Sequence, residues 1–380
     1  MIFSATLTGV NTIRAYGCCG QFINENNKQL DINQRCIYHN YITKIWLQVR
    51  LETISNCLIL FAGLFAILKR GTITGGSIGL SLSYALTLTN TLNQLIVNFS
   101  DLQNYLVSVE RIDEYCCIES EHKSTETANK LPDNWPDKGS VEFVNYGTRY
   151  RQGLDLVLKG ISFKINPKEK IGIVGRTGAG KSSITQSLFR IIEPIMGKII
   201  IDNIDITLLN LEDLRSRLTI IPQEPVLFSG TVRTNLDPFN KFSDDDLWTV
   251  LDKCNLKEFI KSQELGLNYL ICEGGGNLSV GQRQLVCLCR ALLRHTNILI
   301  LDEATAAVDV ETDSLIQQTI RNEFPMCTIL TIAHRINTIM DSDRVLVLNE
   351  GTVAEFDSPD VLLSNQNSIF YSLASEAGIV

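Results

Sequence analysis

The nine residues "GRTGAGKSS", Gly175 to Ser183, limit this chain more than any others. They follow the apolar run Ile171 to Val174 and lead into "SITQSLFRII". A buried strand, a tight loop and a helix is the succession that this pattern specifies. Gly175, Gly178 and Gly180, with Arg176, Thr177 and Ala179 between them, let backbone N–H groups wrap phosphate oxygens. Lys181 reaches the β and γ oxygens, Ser182 offers a hydroxyl to Mg2+, and Ser183 completes the set in the first helical turn.

The stretch around this loop predicts one α/β domain. From Ser140 onward, short β-rich runs alternate with helical ones, as parallel-sheet domains do. A second apolar strand, "NILILDEAT", ends in Asp302 and Glu303. Asp302 suits the Mg2+ shell, and Glu303 suits a general base or water-positioner in line with a γ-phosphate. Alone, Glu303 is equally well read as a solvated loop acid. Gln223, in "IIPQEPVLFSG", stands at a strand-to-loop edge where its amide can touch Mg2+ or water. His334 ends the apolar run of "ILTIAHRINTI", within reach of a γ-phosphate, and is otherwise a structural histidine. Tyr150, in "YGTRYRQG", can stack on an adenine or pack in the core.

A second glycine-rich stretch, "GGGNLSVGQRQLVCLCRALL", also looks like an anion-binding loop running into a helix, since helix N-termini carry free N–H groups. One nucleotide does not need two such loops. The formal net charge of −8 and the lack of any Lys/Arg block argue against nucleic acid as a partner. The eleven cysteines are scattered, and the pairs Cys18/Cys19 and Cys116/Cys117 lack metal-site spacing, so they read as reduced thiols.

The first 120 residues are of another kind. Thr53 to Leu68 and Gly71 to Ser100 are uncharged, and a bilayer span needs about 20 apolar residues. Two spans are expected, near 46–68 and 76–98, with the short "KRGTITGGS" turn outside the cell. Lys69 and Arg70 mildly oppose that orientation. A pair of buried helices in a soluble core is the competing reading. Residues 1–50 read as helix outside the membrane, and the helix after the second span should end near Cys117. "IESEHKSTETANKLPDNWPDKGS" reads as a linker. The expected domains are therefore a partial transmembrane part at 1–117, a linker at 118–138 and a nucleotide-binding domain at 139–380.

Together the motifs resemble the nucleotide-binding domain of ATP-binding-cassette (ABC) transporters, in that family's order: phosphate loop, Gln223, "LSVGQ", "LILDE", "AAVD" and His334. "GIVGRTGAGKSS", "IIPQEPVLFSGTVRTNLDPF", "GGNLSVGQRQLVCLCRALL", "LDEATAAVD" and "TIAHRINTIMD" are similar to the second such domain of the multidrug resistance-associated proteins, the C subfamily. The resemblance implies a phosphate-loop ATPase with a helical subdomain, preceded by an all-α transmembrane segment, with ATP and Mg2+ as ligands. It carries over Lys181, Ser182, Gln223, Asp302, Glu303, His334 and Tyr150 in the roles given above.

The resemblance also implies that two such domains pair head to tail. Leu278, Ser279, Val280, Gly281 and Gln282 then serve the partner's nucleotide. Val280 stands where the commonest family form has glycine, which puts hydrolysis at that trans site in question. The implied partners are a first nucleotide-binding domain, further transmembrane helices, the lipid bilayer and a small-molecule transport substrate. A fragment of a longer multi-pass protein is expected, in the plasma membrane, with its cassette in the cytosol. Gln94 and Val97 stand where relatives often carry tryptophan and arginine suited to anionic conjugates, so the exported substrate is open. The same subfamily contains a nucleotide-gated channel and channel regulators, which form the alternative to an exporter of organic anions, conjugates or drugs.

Overall fold

The computed structural model describes residues 2–69, 71, 74–121, 131–132, 134–302, 308–333 and 335–379, without the side chains of residues 2, 88–90, 93 and 310. The chain divides into two compact units, Met1–Ser120 and Glu121–Val380. Among the described residues the first holds four helices and no strand: α1 (Ile2–Thr8), α2 (Val10–Ala15), α3 (Cys19–Leu68) and α4 (Gly75–Cys116). Gly17, at φ 66°, takes the left-handed conformation between α2 and α3, a turn that glycine adopts without steric cost. Thus the polar stretch before residue 50 and the uncharged run after it form one continuous helix.

That helix, Cys19–Leu68, is the one among the described residues that is long and apolar enough to cross a membrane. Its second half carries Leu60, Phe61, Phe65, Ile67 and Leu68 exposed, an apolar surface that water does not favour. The second expected span lies on α4. An ion pair between Lys44 and Asp101, 2.5 Å apart, ties α3 to α4, and a half-exposed pair of this kind contributes about 0–1 kcal/mol.

The second unit is built on two large sheets and a two-stranded antiparallel pair, β7 with β8. Its elements in order are β1 (Val141–Thr148), β2 (Leu158–Ile165), β3 (Lys170–Gly175), α5 (Lys181–Leu188), β4 (Met196–Ile201), β5 (Ile204–Asp205), α6 (Leu211–Arg217) and β6 (Thr219–Ile221). There follow β7 (Gly230–Thr231), α7 (Val232–Leu236), α8 (Asp244–Lys253), α9 (Lys257–Ser262), β8 (Leu270–Ile271) and α10 (Val280–Arg294). The chain closes with β9 (Ile298–Asp302), α11 (Val310–Glu323), β10 (Thr328–Ile332), β11 (Arg344–Asn349), β12 (Thr352–Asp357), α12 (Pro359–Ser364) and α13 (Ile369–Glu376).

The larger sheet has the order β12-β11-β3-β10-β9-β6 and is parallel from β11 through to β6. Strands covered on both faces need unbroken apolar runs, and Ile171, Ile173 and Val174 of β3 and Ile298 to Leu301 of β9 supply them, all buried. The smaller sheet, β2-β1-β4-β5, is antiparallel. Phe143, Ile161, Ile173, Ile184, Leu188 and Ile300 fill one core. Leu247, Leu251, Ile260, Leu285, Leu288 and Ile320 fill another, under the helices that form the expected helical subdomain.

Part of the segment read as linker is built into this second unit. The Trp135 side chain is buried, and its indole N–H donates to the Ile201 carbonyl at 3.1 Å. Asp202 accepts from the backbone N–H groups of Lys138, Gly139 and Ser140 at 2.7–3.0 Å. Burial opposes its ionisation, but these donors outweigh it and hold the carboxyl below its ordinary range.

Candidate nucleotide site

Ligands of open parallel sheets bind beyond the carboxyl ends of the strands, and here four neighbouring strands end together. β3 lies between β11 and β10 and delivers the loop Gly175–Gly180 at its end. The path of that loop needs glycine at Gly175 and Gly180. A Cβ on Gly175 would lie 2.4 Å from the Leu348 carbonyl oxygen, and Gly180 caps α5 with a φ of 101°. Ala179 is buried, while Arg176, Thr177 and Gly178 are exposed along the loop. The Lys181 ammonium lies back across it, donating to the carbonyls of Gly175 at 2.7 Å and Arg176 at 3.5 Å. Ser182 is exposed in the first turn of α5.

Tyr150 is about half exposed, so core packing does not explain it. Its hydroxyl is 2.8 Å from the hydroxyl of Ser183, a buried residue on the first turn of α5. This bond fixes the phenol end and leaves the ring beside the phosphate loop.

Asp302 ends β9, whose neighbour β6 ends at Ile221, two residues before Gln223. In register, Asp302 pairs with Ile332 on β10, two residues before His334. Thus Asp302 and Gln223 follow strands that end at the same edge as the phosphate loop. Glu303 and His334 were singled out in the sequence and lie outside the described residues, as do Ala306 and Ala307 of "AAVD". The Ser182 hydroxyl, the Asp302 carboxylate and the Gln223 amide are hard oxygen donors. Mg2+ prefers such donors, and it takes only a few from protein when phosphates and water complete its shell.

The second glycine-rich stretch is placed elsewhere. Ser279 caps α10: its hydroxyl accepts from the Gln282 N–H at 3.1 Å, and the Gln282 side chain accepts from the Ser279 N–H at 2.9 Å. Leu278 anchors the turn in the helical core, Val280 is half buried, and Gly281 sits where a Cβ would be 3.1 Å from Thr312. Thr312 in turn bonds through its N–H and hydroxyl to Asp309, the cap of α11. These two donors hold the Asp309 carboxyl below its ordinary range. α10 packs on β6, whereas the phosphate loop runs from β3 into α5.

Sequence reasoning missed two residues here. Gln284 is buried on α10 and donates to the carbonyls of Pro222 and Gln223. Arg290 donates to the Asn235 and Val226 carbonyls, holding the segment after Gln223. The available signal was periodicity: Gln284 falls on the stripe of Leu288 and Ala291, where apolar residues belong.

No metal-binding group of three or more His, Cys, Asp or Glu occurs among the described residues, and the cysteines are unpaired. Burial raises the Cys287 and Cys289 thiols above their ordinary range, which suits inert core positions.

Residues 158–306 match the family model described as "ABC transporter". ATP-binding cassette sub-family C member 3 of Homo sapiens is 53% identical over 377 residues, which is 99% of this chain and 25% of that protein. Sub-family C member 2 of Mus musculus is 52% identical over 377 residues, 99% of this chain and 24% of that protein. "Multidrug resistance protein mrp-7" of Caenorhabditis elegans is 52% identical over 378 residues, 99% of this chain and 25% of that protein. The chain spans about a quarter of the length of these relatives. Among solved structures, a bacterial Atm1-family ABC exporter with ATP bound matches at a TM-score of 0.87 and 27% identity, covering 99% of this chain and 66% of that one.

Proposed function

Because this chain belongs to the ABC transporter family, in its C subfamily, we propose that residues 139–380 bind and hydrolyse ATP to drive export of organic anions, conjugates or drugs. The observation that carries this reading is that Lys181, Ser182, Gln223 and Asp302 all stand at or just beyond the carboxyl ends of parallel strands of one sheet, β3, β6 and β9. Lys181 offsets the charge on the β- and γ-phosphates, which the N–H groups of the loop wrap. Ser182, Gln223 and Asp302 would hold Mg2+, which when bound would neutralise charge developing on the phosphates. Glu303 takes a proton from the attacking water, and His334 holds the γ-phosphate.

Ser279, Val280 and Gly281 sit on a different element from the phosphate loop, which suits a role toward a second cassette's nucleotide. The partner cassette, which is the first nucleotide-binding domain, further membrane helices and the bilayer around α3 and α4 are the partners proposed. The cassette faces the cytosol of a multi-pass protein in the plasma membrane. ATP-driven closure of the cassette pair is relayed to the helices, and hydrolysis reopens it.

Tyr150 provides a test of ATP as the ligand. Tyr150→Ala weakens ATP binding by about 1–2 kcal/mol through lost stacking, but leaves tripolyphosphate binding within about twofold. Competition against a fluorescent ATP analogue, on the full chain in detergent, reads both. Equal losses for ATP and tripolyphosphate would rule out adenine stacking.

A further inference from the structure

Gln284 is buried, with 2% of its surface exposed, and lies five residues into α10, counting from Val280. Both hydrogens of its amide have acceptors outside the helix: Nε2 donates to the Pro222 carbonyl at 3.1 Å and to the Gln223 carbonyl at 3.3 Å. Its Oε1 is buried and has no hydrogen-bond partner among the described residues. Burying an unmatched acceptor costs stability, so a leucine on this apolar stripe would be the cheaper choice for packing alone. The acceptors it reaches are also informative. They belong to the turn just after β6 that carries Gln223, and Pro222 has no N–H with which to anchor that turn.

We propose that Gln284 is a positioning residue for Gln223. It fixes the backbone from which the Gln223 amide reaches Mg2+, and it does so from α10. Leu285 and Leu288, buried in the helical core, fix α10 itself, and Ser279 to Gln282 form its N-terminal turn. The metal competence of this chain's own site therefore depends on the placement of the helix whose tip serves the partner's nucleotide. This inference rests on the proposed roles of Gln223 and of the α10 tip.

The test is Mg2+-dependent binding of a fluorescent ATP analogue by the full chain in detergent. Gln284→Met, similar in length and flexible, removes the donor. It should leave the metal-free affinity for the analogue within about twofold and raise the Mg2+ concentration at half-saturation about tenfold, the usual effect of losing support behind a metal ligand. Gln284→Leu serves if the methionine variant does not fold, which circular dichroism reports. A merely structural role is separated by the double variant. If Gln284 acts through Gln223, then Gln284→Met adds nothing to the loss caused by Gln223→Ala. Unchanged Mg2+ half-saturation, or a loss that adds in full to that of Gln223→Ala, overturns the proposal. A wild-type chain without Mg2+-dependent ATP binding would overturn instead the reading on which it rests.

Discussion

Lys181→Ala lowers ATP affinity by about 100-fold and stops turnover. The ammonium is the one side-chain cation that a phosphate-loop site places against the β and γ oxygens, and losing one partner of a close charged contact costs about 2–5 kcal/mol. It also spans the loop mouth through the Gly175 and Arg176 carbonyls, so the alanine variant loses preorganisation as well as charge. Lys181→Arg does not rescue, because a planar fork does not fit where a point charge sits. Titration of the full chain with a fluorescent ATP analogue reads the effect. Affinity within twofold of the parent chain would remove Lys181 from the site.

Glu303→Gln separates binding from chemistry. The amide keeps the shape and hydrogen-bonding reach of the carboxylate but cannot accept the proton of the attacking water. General-base catalysis supplies about 10²–10⁴-fold, so phosphate release in the assembled transporter falls by at least about 100-fold while ATP and Mg2+ remain bound. A loss of kcat with an unchanged nucleotide Kd marks an interaction made only in the transition state. Undiminished phosphate release would take Glu303 off the catalytic list.

The phosphate loop was fully legible in the sequence, because its chemistry is local: glycine spacing, one lysine and one serine between a strand and a helix. The edge shared by Gln223 and Asp302 was legible only through the resemblance, since strand order in a parallel sheet is a long-range property that no short window encodes. In the helical unit, charge and length marked the apolar runs, but not the break at Gly17 or the continuity from Cys19 to Leu68. A polar half and an apolar half of one helix differ in the solvent they meet and not in backbone geometry.

The end of the linker was hidden for a related reason. Trp135 is flanked by Pro, Asp and Lys, which read as linker composition, yet its indole finds a buried acceptor on β4. Gln284 was overlooked because its partners are main-chain carbonyls of another element, and backbone acceptors leave no residue-type signature. Glu303 and His334 rest on motif and resemblance alone.

In the proposed cycle each ATP is shared: Lys181 serves this chain's nucleotide, and the tip of α10 serves the partner's. Site-resolved photolabelling with an azido-ATP tests it most directly, with Ser279→Glu made both in the chain alone and in its pair with a first cassette. Ser279 caps α10 through the Gln282 N–H, and a carboxylate there repels an incoming phosphate. Labelling of this chain through its own phosphate loop should be unchanged when it is alone. In the pair, labelling of the partner's cassette should fall while this chain still binds at Lys181. If Ser279→Glu instead abolished labelling of the chain alone, the loop would act on its own chain's nucleotide and the shared site would be contradicted.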